Sequence, residues 1–391
     1  MIRLTALFLL CVVSHNEAAT ISTETFFKNP DLTAIKISPD GKHFAATTET
    51  DGVKKLVILD VNATQILQVF DFSSEKREIG NFGWLNNERI YATMVRKVGP
   101  LDQPSPTGFL FAGNINGKKT IQLLPAKSRT KGGNRDIQRP FRILNLLPDD
   151  DKHILISLMD DNRFTYAYRL NVYNGRQKVV GKSAEPFSRL MADHSGKIKV
   201  STNSSDDGSE YFIHLWNQAE EQWQLFKKFD DKGINLRPLE FSADNNLLYI
   251  ENDSGDSGRG IYALDLSSQD YKLIHAINGD ADIQALIRDF NQVTPDVIGF
   301  TRMPGHVEVE FFDPNHQVAK LYRSLYQSFQ GQAINLVNAS ADGQQVVVRV
   351  WSDYNPGNHY LMDLNSNQVK PLFKTLPWID RRQIPDQLHR T

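Results

Sequence analysis

The chain has 391 residues, 40% hydrophobic and 23% charged, with a formal net charge of −2. That is ordinary globular composition with ample length for a large core, and it excludes a low-complexity or disordered chain. The near-zero charge argues against a dedicated nucleic-acid binder.

Residues 1–19 read as a secretory signal: Arg3 supplies the positive end, and residues 4–13 form an apolar run too short to span a membrane. Ala18 and Ala19 suit cleavage, Asn16 and Glu17 suit it less, and a buried first strand is the alternative. The single cysteine, Cys11, lies inside this segment, and Leu10 before it is not the small residue of a lipoprotein signal. Processing would leave no disulfide, no thiolate metal site and no stable membrane span. The expected location is secreted or periplasmic. Asn62, Asn203, Asn252 and Asn338 head N-x-Ser/Thr sequons, which decide nothing without the host.

Residues 37–67 set the organising pattern. The turn Ser38-Pro39-Asp40-Gly41 precedes a strand over 42–47, a polar tip at 49–52, a strand over 56–61, a turn at 62–64 and an apolar run over 66–70. Short strands rich in β-branched and aromatic residues, separated by turn formers, make a β-meander. One such sheet cannot bury its own faces and needs copies stacked beside it. The unit recurs, with comparable openings at Ser38, Trp84, Pro148, Asp193, Ser242, Gln292 and Ser340. Most steps are roughly 45–50 residues, within the period of four-stranded, WD40-like propeller blades. The expectation is an all-β, seven-bladed β-propeller over residues 20–380, followed by a polar tail over 381–391. The sixth unit is degenerate, with strands read over 297–301 and 307–313. The seventh is read from 339 to 373.

The long step after Trp84 contains two loops. Residues 99–107 are Pro-rich. Residues 127–142 carry Lys127, Arg129, Lys131, Arg135, Arg139 and Arg142 around Gly132-Gly133. This basic stretch reads as a solvated, mobile connection and a site of limited proteolysis, or alternatively as an anion-binding or partner-binding loop. Residues 313–331 break the β pattern: Val318, Leu321, Tyr322, Leu325, Tyr326 and Phe329 recur at helical spacing. Pro314 and Gly331 bound the expected helix, which should pack outside the sixth blade or, alternatively, line the central funnel.

The ordered segments resemble the N-terminal propeller of the prolyl oligopeptidase family of serine peptidases, in its dipeptidyl-aminopeptidase and acylaminoacyl-peptidase-like branch. The residues that carry this are Phe26-Phe27-Lys28-Asn29-Pro30, Ile37-Ser38-Pro39-Asp40-Gly41, Phe82-Gly83-Trp84 with Asn87-Glu88-Arg89, Leu147-Pro148-Asp149-Asp150, Tyr168-Arg169-Leu170-Asn171-Val172, Phe312-Asp313-Pro314 and Pro377-Trp378-Ile379-Asp380. The resemblance implies a propeller that covers the active site of an α/β-hydrolase domain and admits short or flexible peptides. The hydrolase would be a partner in cis or in trans, and it would begin where residues 381–391 lie.

Chemistry on the chain itself is hard to find. A nucleophile elbow needs G-x-S-x-G. Gly181-Lys182-Ser183-Ala184-Glu185 and Gly255-Asp256-Ser257-Gly258-Arg259 come nearest, and both fail at the last position. His15, His43, His153, His194, His214, His275, His306, His316, His359 and His389 show no zinc spacing, and His194 reads as a structural hydrogen-bonding residue in a turn. Asp206-Asp207-Gly208 and Asp253, Ser254 and Asp256 offer oxygens to calcium, or simply form Asx turns. No phosphate-cradling or dinucleotide motif is present. Trp84, Trp216, Trp223, Trp351 and Trp378 read as blade-to-blade packing, with funnel lining as the alternative. Glu49, Asp51, Asp161, Arg163, Asp353 and Tyr354 fall on loop tips that face either a partner or solvent. No catalytic, cofactor-binding or metal residue is assigned. The expected function is a non-catalytic gate for peptide substrates. The alternatives are a standalone periplasmic or extracellular propeller that binds a peptide or protein, and one subunit of a split peptidase.

Overall fold

A recurrent S-x-D-G-like turn, at Ser38, Ser242 and Ser340, links a blade's first strand to its second. Ser38 donates its hydroxyl to Asp40 Oδ1 at 2.7 Å and accepts from the backbone N–H of His43 at 3.0 Å. Ser242 repeats this with Asp244 and Leu247, and Ser340 with Asp342 and Gln345. The fourth position must take a left-handed backbone, and Gly41, Asn245 and Gly343 supply it at φ 70°, 61° and 69°. The turn reverses the chain from a short strand into the next one.

The computed structural model describes residues 28, 30, 32–50, 52–62, 65–97, 99, 103–125, 140–230, 236–255, 258–279 and 281–378. Among them lie seven antiparallel sheets whose strands follow one another in sequence order. Blade one covers 34–70, blade two 78–124, blade three 141–182, blade four 189–230, blade five 236–276, blade six 283–311 and blade seven 333–374. Six blades have four strands and blade six has three. The expected seven-bladed propeller is the observed architecture. The signal segment 1–19, the tail 381–391, Cys11, His15, His389 and the basic residues from Lys127 to Arg139 lie outside the described residues.

Strand alternation explains why the strands read as continuous apolar runs. Leu56 and Ile58 point into the interface with blade two, beside Ile79 and Phe82. Val57 and Leu59 point the other way, onto Val347 and Leu361 of blade seven. Each sheet is thus buried on both faces. Seven apolar clusters among the described residues fill the seven interfaces between neighbouring blades.

Among the described residues no strand is shared between the first and last blades. Asn338 closes the ring instead, accepting from Ile37 N at 3.1 Å and donating to Ile37 O at 2.9 Å. Ala341 N–H donates to Pro39 O at 2.7 Å. The sequon at Asn338 is therefore committed to closure, whereas Asn62 is exposed and accepts from Lys370 of blade seven.

Several boundaries differ from the sequence reading. Each blade opens one strand before its S-x-D-G-like turn: blade seven on Ala333–Ala339, blade four on Arg189–Ala192 and blade six on Ile283–Arg288. These inner strands expose an edge to the central funnel and mix polar with apolar residues, so alternation does not announce them. Pro106 and Thr107 lie in the strand Ser105–Asn114, and Arg142 in the inner strand Phe141–Asn145, not in loops.

The helix spans Gln317–Ser328, shorter than expected. His316, not Pro314, caps it by accepting from Val318 N–H. A left-handed turn at Gln330 and Gly331 ends it. It stands in the connection where other blades place a fourth strand. Its Tyr322 and Leu325 pack between Val309 and Phe311 of blade six and Ile334 and Val346 of blade seven. It fills an interface and does not line the funnel.

Candidate functional site

Strands within a blade alternate in direction. The starts of the inner strands and the hairpin tips between second and third strands therefore share one face. A cavity of about 1420 Å³ opens there, on the side of blades two to five. Inner-strand residues Gly80, Arg142, Ile143, Arg189 and Met191 line it, with Met94, Phe109, Met159 and Thr165 from neighbouring strands. The volume exceeds the ~300–1,000 Å³ typical of small-molecule pockets.

The same face carries both ends of the propeller. Thr33 N–H donates to Thr47 O beside blade one, and Thr375 N–H donates to Gly357 O beside blade seven. The ammonium of Lys28 lies 4.2 Å over the ring of Trp378. Glu49, Asp161, Arg163, Asp353 and Tyr354 all fall on second-to-third connections or strand ends of this face; Asp51 is outside the described residues. The structure therefore gives these tips a common orientation that the sequence left open.

The five tryptophans do not line the cavity. Trp84 donates its indole N–H to Lys36 O and joins blade two to blade one. Trp223 donates to Lys182 O and joins blade four to blade three, edge-on to Trp216. Trp351 is half-buried beneath the Arg349 guanidinium. The aromatic groups at the cavity are Tyr91, Phe109, Phe141 and Phe187. Phe187, which the sequence reading did not single out, is 58% exposed and holds φ 56°.

The candidate serine motif around Ser183 is a loop brace. Ser183 is buried, donates its hydroxyl to Glu185 O and accepts from Thr165 N–H. Ser257 lies outside the described residues. His194 bridges blades: its backbone N–H donates to Asn245 Oδ1 and its Nε2 lies 3.2 Å from Phe241 O. Asp207 accepts from the Ser205 hydroxyl and from Ser209, which lower its carboxyl pKa to about 2. This is a turn using its own oxygens. Among the described residues no group of three His, Cys, Asp or Glu side chains is placed to hold a metal ion.

Charge at the cavity is unevenly matched. Its carboxylate, Glu240, is engaged by Arg288 at 2.7 Å. Arg142 and Arg189 are exposed on the inner strands of adjacent blades, with no carboxylate partner among the described residues. On the blade-one inner strand, Lys36 donates to Phe82 O at 2.6 Å, and burial lowers its pKa. The sequence signal for the two arginines was faint: Arg142 read as the last cation of the basic stretch 127–142, and Arg189 is a lone cation in the short run R-L-M-A.

No family model matches the chain. Dipeptidyl aminopeptidase BIII of Pseudoxanthomonas mexicana is 22% identical over 259 residues, covering 63% of this chain and 34% of that protein. Apo prolyl oligopeptidase B from Galerina marginata superposes with a TM-score of 0.54 at 10% identity, over 90% of this chain and 52% of that one. A substrate-bound form of the same enzyme gives 0.52 at 11% identity. The chain thus spans about half the length of the solved relative and a third of the curated one. With its seven blades in sequence order, the chain fits the N-terminal propeller of the prolyl oligopeptidase family.

Proposed function

We propose that this chain is the non-catalytic, substrate-gating propeller of a prolyl-oligopeptidase-type serine peptidase, exported to the periplasm or the cell exterior. It would dock on an α/β-hydrolase domain, in cis or in trans. The observation that carries this reading is the shared face: the funnel cavity, both ends of the propeller and the loop tips meet there. A hydrolase docked on that face would receive only what passes the propeller. Extended peptide enters a cavity of this size, whereas a folded domain is excluded by the rigid blades around it. The chain itself would break no bond: neither of its two serines nearest to an elbow motif completes one, Ser183 is buried and braced, and Ser257 lies outside the described residues.

The test combines the full chain with a separately produced α/β-hydrolase domain of the dipeptidyl-aminopeptidase type. We expect no fluorophosphonate labelling of the chain alone, a stable complex on mixing, and slowed hydrolysis of folded substrates with dipeptide substrates spared. Stoichiometric labelling of one serine, abolished by its replacement with Ala, would overturn the reading. A chain that binds peptides but never a hydrolase would favour the standalone binder. For export, amino-terminal sequencing of the secreted protein should begin near residue 20, and a retained Met1 would count against it.

A further inference from the structure

We propose that the funnel contains an anion-selective subsite, built by Arg142 and Arg189 beside Phe187, that takes a carboxylate of an extended peptide. This rests on reading the cavity as a peptide route.

Phe187 is the first reason. A non-glycine residue in the left-handed region costs about 1–2 kcal/mol, and an exposed aromatic ring returns little of that by burial. Yet the loop that carries it is built firmly. Ser183 and Ser188 are buried and both donate their hydroxyls to Glu185 O, at 2.9 and 2.7 Å. Thr165 donates its hydroxyl to Ser188 O at 2.6 Å, and Phe187 N–H donates to Arg163 O at 2.7 Å. Strain held in place by a satisfied polar network marks a pre-organised contact residue.

The second reason is charge. Arg189 follows Phe187 by two residues, and both are exposed on the cavity lining. Arg142 comes from the inner strand of the neighbouring blade. Among the described residues Glu240 is the only acidic one of the lining, and it is taken by Arg288. Phe141, Ile143, Leu190 and Leu239 supply a low-dielectric wall, which strengthens the field of the two guanidinium groups. A guanidinium presents paired N–H donors that match a carboxylate, and an aromatic edge nearby packs the adjoining chain. The carboxylate has two possible sources: the peptide's own C-terminus, or an Asp or Glu side chain.

Four fluorescent hexapeptides of one length separate these sources by anisotropy titration against the full chain. One has a free C-terminus and a neutral body, one is its amide, one is an amide with an internal Glu, and one replaces that Glu with Gln. We expect about tenfold tighter binding of an acidic peptide than of its neutral partner, from charge-assisted hydrogen bonds, and loss of the preference as salt rises. A preference in the first pair assigns the C-terminus, and one in the second assigns the side chain. The double variant Arg142→Gln, Arg189→Gln should abolish the preference, so that each acidic peptide binds no more tightly than its neutral partner. Both side chains are exposed, so an unaltered thermal unfolding profile checks the fold. Equal binding of all four peptides, or a preference that survives the double variant, overturns the subsite and leaves the peptide route intact. Absence of any binding, with hydrolase docking retained, overturns both the subsite and the peptide route but not the docking.

Discussion

Arg89→Met should destabilise the propeller by about 3 kcal/mol, although Arg89 pairs with no carboxylate among the described residues and lies outside the cavity. Arg89 is fully buried. Its Nε and Nη2 both donate to Val172 O in blade three, at 3.0 and 2.7 Å. Its Nη1 donates to Asn114 Oδ1 at 2.6 Å and its Nη2 to Lys119 O at 3.0 Å, both in blade two. The guanidinium also lies 4.5 Å from the Tyr173 ring. Methionine keeps the length and the apolar stem but orphans three acceptors. An unsatisfied buried acceptor costs at least about 1 kcal/mol, so three cost about 3. The lost ring contact adds about 0.5–1 kcal/mol, and relief of the buried charge offsets a similar amount. Urea unfolding followed by tryptophan fluorescence reads the loss as a lower midpoint, with Trp84 in blade two as a local reporter. Arg89→Lys should fall between, because one ammonium cannot reach acceptors spread across two blades. A methionine variant within about 0.5 kcal/mol of the parent would refute the idea that this side chain ties blade two to blade three.

Two further outcomes follow from the last blade. His359 stacks on Phe373 at 4.3 Å, and burial, then the charge of Arg349, push its pKa down to about 4. The unfolded chain binds a proton there from about pH 6.5 downward while the folded chain does not, so stability is full above that pH and falls as pH drops toward 4, by up to about 3 kcal/mol. His359→Phe should flatten the dependence in that window, and an unchanged pH profile would remove His359 as its cause. Asn338→Ala breaks both bonds to Ile37 and should raise amide exchange in blades one and seven while sparing blade four. Exchange rising equally in every blade would mean that ring closure does not rest on this side chain.

Much of this architecture is local and was therefore legible. The S-x-D-G turn closes within six residues, and Leu56-Val57-Ile58-Leu59 advertises a strand buried on both faces wherever it sits. Recurrence of such short strands and turns, at steps of mostly roughly 45–50 residues, specifies seven blades. The helical period over 318–329 was equally plain. What tertiary structure alone decided depends on ring closure, which brings together residues far apart in the chain. It moved each blade's start back by one edge-exposed inner strand. It set the helix between blades six and seven, and turned the loop tips toward the face that bears the propeller's two ends. Arg142 passes in sequence for the tail of a basic loop, and Arg89 stands out only as the last residue of Asn87-Glu88-Arg89, with nothing to show its burial. Only the curvature of the ring sends one into an open cavity and the other into a buried cage of carbonyls, because a side chain's dielectric surroundings are made by its neighbours in space.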